Sequence, residues 1–220
     1  MYKVKEEMLK KYEGFFQRPH GEWDFGNKIL YRMCEEHPAH TDVNVAVGKI
    51  WLIGRSYAAA IERGRKREHS EEDFYFTSVA KLFEKYGEEL DGRIAALQSA
   101  ALNDEAARET VRLHKWWQDC IREITEDEKR SLVSKYLHFH LRDIVYIYDS
   151  RAAAGIGALV TRQRGTETPH DADAVYADFV GRVRTLAKAI ETAFGVTLTP
   201  REMDEFLLYV EEENRKAKQK

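Results

Sequence analysis

The chain has 220 residues, of which 43% are hydrophobic and 33% charged, and it contains no apolar run near the ~20 residues that span a bilayer. The 35 basic and 38 acidic side chains leave a formal net charge of -3, so any binding to nucleic acid or anionic lipid must be local. With only four prolines and 13 glycines, the composition favours helices. We therefore expect an all-α protein with a single domain over residues 1–220, or two tightly joined helical lobes.

Cysteine usage and the first residues indicate the compartment. Cys34 and Cys120 are far apart in the sequence, and the segment from Met1 to Lys5 is charged, unlike a secretory signal. We expect a cytoplasmic protein with reduced thiols and no contact with a membrane. No phosphate-cradling glycine loop, nucleophile elbow or dinucleotide fingerprint is present, so we expect no cofactor.

Hydrophobic periodicity predicts about eight helices. Two short amphipathic segments at 3–16 and 24–37 come first, followed by a central helix at 42–61 that Asp42 caps. A basic loop follows, made of Arg63, Gly64, Arg65, Lys66 and Arg67. Three further segments are predicted at about 70–86, 88–101 and 104–124.

Two capping boxes organise the second half of the chain. The first, from Thr125 to Glu128, predicts a helix over 125–140, and the next helix is expected at about 149–162. An exposed loop over 163–169 precedes a helix at 171–194 that Gly195 stops. The second capping box, with Thr199, Pro200 and Glu202, predicts the last helix at about 200–215.

The densest group of reactive and aromatic side chains lies between residues 134 and 151. There a helix containing Lys135, His138 and His140 is followed by the apolar run Ile144–Tyr148 and then by Asp149. Asp149 caps the helix that follows on one interpretation. On the other, which is compatible with the first, the apolar run delivers its carboxylate to a cleft where it acts as a base or stabilises a developing cation.

This pattern resembles the central part of the helix-hairpin-helix DNA base-excision glycosylases and their diverged relatives. In that superfamily the second helix of the hairpin carries a lysine in the bifunctional members, and an aspartate follows at the next helix start. The resemblance implies that Asp149 assists loss of the base and that Lys135 attacks the sugar C1′ atom to form a Schiff base. Counting back from Asp149 by the family separation reaches Ser131, one helical turn before Lys135, and the turn at 125–128 contains three acids and no glycine.

The neighbouring side chains complete the predicted site. Substrate contacts are expected from five of them: Tyr146, Tyr148, His138, Arg142 and Arg151. Because His138 and His140 are two residues apart on a helix, they point to different sides, and we expect no metal site. Lys135 has a structural alternative, in which it reaches solvent or pairs with an acid.

The sequence leaves two other functions open. One is a non-catalytic helical module that binds a protein or a nucleic acid through the basic loops, which include Arg162 and Arg164 besides the loop at 63–67. The other is a toxin-like helical ribonuclease that uses Arg63 and His69. The sequence leaves the oligomeric state undetermined.

Overall fold

The computed structural model describes residues 2–17, 24–67, 73–163 and 171–219. Within these ranges the chain forms nine α-helices, a 3-10 helix, a π-helical segment and one two-stranded antiparallel sheet, which confirms the all-α expectation. The described helices include none long and apolar enough to cross a membrane. The chain divides into two compact units, a terminal unit of Met1–Gly21 with Tyr146–Lys220 and a middle unit of Glu22–Val145. The expectation of a single domain stays a prediction.

The middle unit is built from five α-helices and a π-helical segment. These are α2 (Asp24–Glu36), α3 (Val43–Ser56), the π-helical segment (Phe74–Val79), α4 (Ala80–Ala95), α5 (Asp104–Arg122) and α6 (Arg130–His140). Asp42 caps α3 by accepting hydrogen bonds from the backbone N–H groups of Asn44 and Val45, as its position predicted. The core is aromatic and aliphatic, with Trp117, Phe83 and Tyr136 among its largest fully buried side chains.

Three predicted boundaries in the middle unit are wrong. The central helix expected over 42–61 ends at Ser56. The segments expected at 70–86 and 88–101 instead form the π-helical segment followed by one continuous helix through Gly87. The capping box at Thr125 is also absent, because the Thr125 hydroxyl donates to the carbonyl oxygens of Ile121 and Asp127. Glu128 accepts from the Gln118 side chain instead, so α6 begins at Arg130.

The terminal unit combines both ends of the described chain. Its elements are β1 (Tyr2–Val4), α1 (Glu6–Leu9), the 3-10 helix (Lys10–Gln17), α7 (Ser150–Leu159), β2 (Val160–Arg162), α8 (Ala174–Phe194) and α9 (Pro200–Lys218). The two strands lie where helix was predicted, at the start of the 3–16 segment and at the end of the 149–162 helix, and they pair with Lys3 opposite Thr161. Gly195 ends α8 at a φ of 67°, and Thr199 and Glu202 form the predicted capping box.

Helices α7 and α9 pack closely at a glycine. A Cβ atom on Gly155 would lie 2.2 Å from the carbonyl oxygen of Leu207, which no side chain could tolerate without a backbone shift. This contact fixes the position of α7, which is the helix that Asp149 caps.

Candidate functional site

Helix α6 is buried along almost its whole length. Every residue from Leu132 to Phe139 is buried, including the polar Ser134, Lys135 and His138. Buried polar groups need hydrogen-bond partners, so the partners of these side chains define what the helix does.

The side chain of Lys135 is buried, and its amine hydrogen-bonds to protein atoms. Its side chain is 3% exposed, and Nζ lies 3.0 Å from Oγ of Ser131 and 3.4 Å from the carbonyl oxygen of Tyr57. The ammonium also lies 5.4 Å from the centroid of the Tyr57 ring. Side chains on a helix lean toward its N-terminus, so the amine of Lys135 sits one turn back, at the position of Ser131.

His138 uses both ring nitrogens for structure. Nδ1 donates to the carbonyl oxygen of Val145 at 2.8 Å, and Nε2 shares a hydrogen bond with the Tyr31 hydroxyl at 2.5 Å. Because a carbonyl oxygen can only accept, Nδ1 carries a proton. His138 therefore ties the C-terminal part of α6 to the segment that follows it.

Arg142 lies at the surface of the middle unit. Its guanidinium pairs with Glu35 at 2.8 Å and stands 5.9 Å from the centroid of the Tyr31 ring. The side chain is 55% exposed, so this ion pair is worth little and a phosphate group could compete for the arginine.

The other predicted site residues lie in the terminal unit. Asp149 is the N-cap of α7, where Oδ1 accepts from the N–H of Ala152 at 2.9 Å. Arg151 pairs with Glu211 at 2.9 Å. Tyr146 is buried, and its carbonyl oxygen accepts from the hydroxyl of Tyr176 at 2.8 Å. Tyr148 is half-buried and meets Phe179 edge to face, with ring centroids 5.2 Å apart.

The basic loop at 63–67 is held against an acidic turn. The N–H of Glu126 donates to the carbonyl oxygen of Gly64 at 2.7 Å, and the N–H of Lys66 donates to that of Ile124. Lys129 joins the two segments through the carbonyl oxygen of Arg63 and the carboxylate of Asp127. The acids of the turn offset the positive charge of the loop, which weakens its field for a polyanion. His69 and Arg164 lie outside the described residues.

A buried polar cluster that the sequence analysis missed lies between α2, α3 and α4. Lys49 is 1% exposed, and its Nζ donates to the carbonyl oxygens of His37 at 2.8 Å and Ala39 at 3.1 Å. It also lies 3.4 Å from Nε2 of the fully buried His40. A lone lysine in the middle of the apolar helix α3 was the signal that could have revealed it.

His40 connects this lysine to a carboxylate. Its Nδ1 lies 2.5 Å from Oδ1 of Asp91, whose two oxygens also accept from the His40 backbone N–H. Burial lowers the pKa of His40 to about 4, with the charge of Lys49 adding to the effect and Asp91 opposing it. Burial likewise lowers the pKa of Lys49 to about 8.

His140 extends the cluster at the end of α6. Its ring centroid lies 4.7 Å from that of His40, and its buried Nε2 has no hydrogen-bond partner among the described residues. Burial, with smaller effects of His40 and Lys49, holds the pKa of His140 well below its ordinary value, so the ring is neutral. The part of the chain that the structure describes contains no group of three or more His, Cys, Asp or Glu side chains placed to hold a metal ion.

Comparison of the chain with protein-family models, with curated proteins and with solved structures finds no match to any of the three.

Proposed function

We propose that this chain is a glycosylase with abasic-lyase chemistry that acts on a base in nucleic acid. Lys135 supplies the amine and Asp149 the carboxylate. The observation that carries the proposal is the 3.0 Å contact between Nζ of Lys135 and Oγ of Ser131. Ser131 is the position to which the glycosylase resemblance assigns the lysine, and the side chain of Lys135 brings an amine to it from one turn away.

The chemistry needs one amine and one carboxylate. Departure of the base leaves positive charge on the sugar ring, which the Asp149 carboxylate would stabilise. Addition of water to C1′ and loss of a proton would give the abasic sugar. The amine of Lys135 would then add to C1′ of its ring-opened aldehyde, and loss of water would give the Schiff base. Ser131 and the carbonyl oxygen of Tyr57 would orient the amine.

Borohydride trapping on oligonucleotides that contain abasic sites tests the amine, because reduction converts the Schiff base into a stable adduct. We expect a covalent adduct with the native protein and none with Lys135→Met. Lys115→Met is the matched control, since Lys115 is an ion-paired lysine on α5 whose loss should leave the adduct unchanged. An adduct that persists in Lys135→Met would remove Lys135 from the role.

Asp149→Asn tests the carboxylate. This substitution keeps a side-chain oxygen for the N-cap and removes the charge. We expect base release to fall by at least about 100-fold, within the range of a lost charge-stabilising group. If the native protein gives neither an adduct nor base release on any damaged oligonucleotide, the glycosylase proposal is wrong.

The second candidate is a non-catalytic module that binds a nucleic acid or a protein. It is favoured by the hydrogen bond from Ala152 to Asp149, which gives that carboxylate a structural role. Salt-dependent binding to oligonucleotides without any adduct would support its nucleic-acid form. The ribonuclease alternative depends on His69 and on Arg63, whose exposed side chain donates to the carbonyl oxygen of Ala58.

A further inference from the structure

A cavity of about 380 Å³ opens in the middle unit beside the buried polar cluster. Its walls include Glu35, Pro38, Asp91, Ala95, Phe139 and His140. None of the residues of the proposed glycosylase site lines it. The volume lies within the ~300–1,000 Å³ of typical small-molecule sites.

Three helices end at this cavity. Glu35 lies in the last turn of α2, Ala95 is the last residue of α4, and Phe139 and His140 close α6. The C-terminal end of a helix carries a partial negative charge, because its last carbonyl groups have no partners within the helix. Three such ends around one cavity make its interior favourable for a cation.

The charged side chains of the cavity have the same sign. The lining contains the carboxylates of Glu35 and Asp91, and no lysine or arginine among the described residues belongs to it. Arg142 pairs with Glu35. Both carboxylate oxygens of Asp91 accept hydrogen bonds from His40, and the side chain remains 26% exposed at the cavity.

The buried cation Lys49 is held in place by other groups. Lys49 donates to the carbonyl oxygens of His37 and Ala39 and does not line the cavity. The remaining walls are suited to a flat organic molecule, with Pro38 and Phe139 as apolar surface and the ring of His140 beside them.

We propose that this cavity binds a small planar organic cation, of the amidinium or protonated aromatic amine class, with the Asp91 carboxylate as its counter-ion. Phe139 and Pro38 cover its apolar faces, and the negative ends of α2, α4 and α6 add to the attraction. This site is independent of the proposed glycosylase chemistry, because it shares none of its residues.

Titration calorimetry with matched probes at low salt and near neutral pH tests the proposal. Benzamidine is the cationic probe and benzamide its neutral isostere, so shape and apolar area are nearly constant. We expect benzamidine to bind with a Kd on the order of 1 mM or tighter and at least about tenfold more tightly than benzamide. Equal affinities, or no binding of benzamidine, would overturn the proposal.

Two variants locate the probe. Asp91→Asn should reduce benzamidine affinity to that of benzamide, whereas Glu88→Gln, the same change at an exposed position of α4 outside the cavity, should leave it unchanged. Because Asp91 also holds His40, Ala95→Trp serves as a second test that fills the cavity from its exposed edge. Benzamidine binding that survives both substitutions in folded protein would overturn the assignment of this cavity.

Discussion

Nδ1 of His40 lies 2.5 Å from Oδ1 of Asp91, and the histidine is fully buried while the carboxylate remains partly exposed. Burial and Lys49 lower the pKa of His40 from 6.5 to about 4 in spite of this carboxylate. The unfolded chain therefore binds the proton more tightly than the folded protein does. His40 therefore makes its full contribution to the free energy of unfolding above pH 6.5, and this contribution is lost as the pH falls toward 4.

Between neutral pH and pH 4 the free energy of unfolding should fall by about 3 kcal/mol, because a pKa difference of one corresponds to ~1.36 kcal/mol. Urea unfolding of the native protein and of His40→Gln, from neutral pH down to pH 4, measures it. His40→Gln should be less stable at neutral pH and should show a shallower decline. His37→Gln, the same substitution at an exposed histidine, should decline like the native protein. Parallel curves for all three proteins would contradict the prediction.

Lys49→Met should destabilise the middle unit. The substitution keeps an unbranched side chain in α3 and leaves the carbonyl oxygens of His37 and Ala39 without their donor. Loss of hydrogen bonds from a buried charged group costs about 2–3 kcal/mol. Lys81→Met, at an exposed position of α4, is the control and should change the free energy of unfolding by less than about 0.5 kcal/mol.

The difference between the native protein and Lys49→Met should also depend on pH. The pKa of Lys49 is lowered from 10.5 to about 8, so the charged form destabilises the fold below pH 8 and this cost disappears as the pH rises toward 10.5. The advantage of the native protein should therefore widen between pH 8 and pH 10.5. A constant difference in urea unfolding would show that burial does not shift the pKa of this lysine.

Gly87→Ala should destabilise the protein by forcing α4 away from the loop that carries His40. A Cβ atom at Gly87 would lie 2.8 Å from the carbonyl oxygen of His40, so the backbone must move, at a cost of about 1–3 kcal/mol. The Cβ atom of Gly92→Ala on the same helix would meet no atom of the described residues within 4 Å, and this substitution should stabilise the helix by about 0.5–1 kcal/mol. Thermal unfolding of both variants measures the contrast, and a stabilised Gly87→Ala would contradict the close approach.

The sequence predicted the elements whose signals are local. Asp42, Asp149, Gly195 and Thr199 act within a few residues of themselves, and each stands where its helix begins or ends. The capping box at Thr125 failed because tertiary partners competed for its side chains, as Gln118 does for Glu128. Local propensity is a weak guide wherever such partners exist.

The buried cluster was beyond sequence reasoning for a similar reason. Lys49, His40 and Asp91 come from separate segments of the middle unit, and no spacing rule connects them. Lys135 was predicted as a site residue from its pattern, but its contact with Ser131 depends on burial that excludes solvent from the helix face. The partners of these side chains are determined by packing between segments that are distant in the sequence.

Asp149 offers a test that separates structure from chemistry. Asn and Asp are about equally good N-caps, so Asp149→Asn should change the free energy of unfolding by less than about 0.5 kcal/mol, whereas Asp149→Ala should lower it by about 1 kcal/mol. Asp173→Ala, which removes the equivalent cap from Tyr176 at the start of α8, should cost a similar amount. Urea unfolding of the three variants measures these changes. If Asp149→Asn is as stable as the native protein and base release is lost, the charge of Asp149 acts in catalysis; if stability falls with activity, the carboxylate has a structural role that the cap alone does not explain.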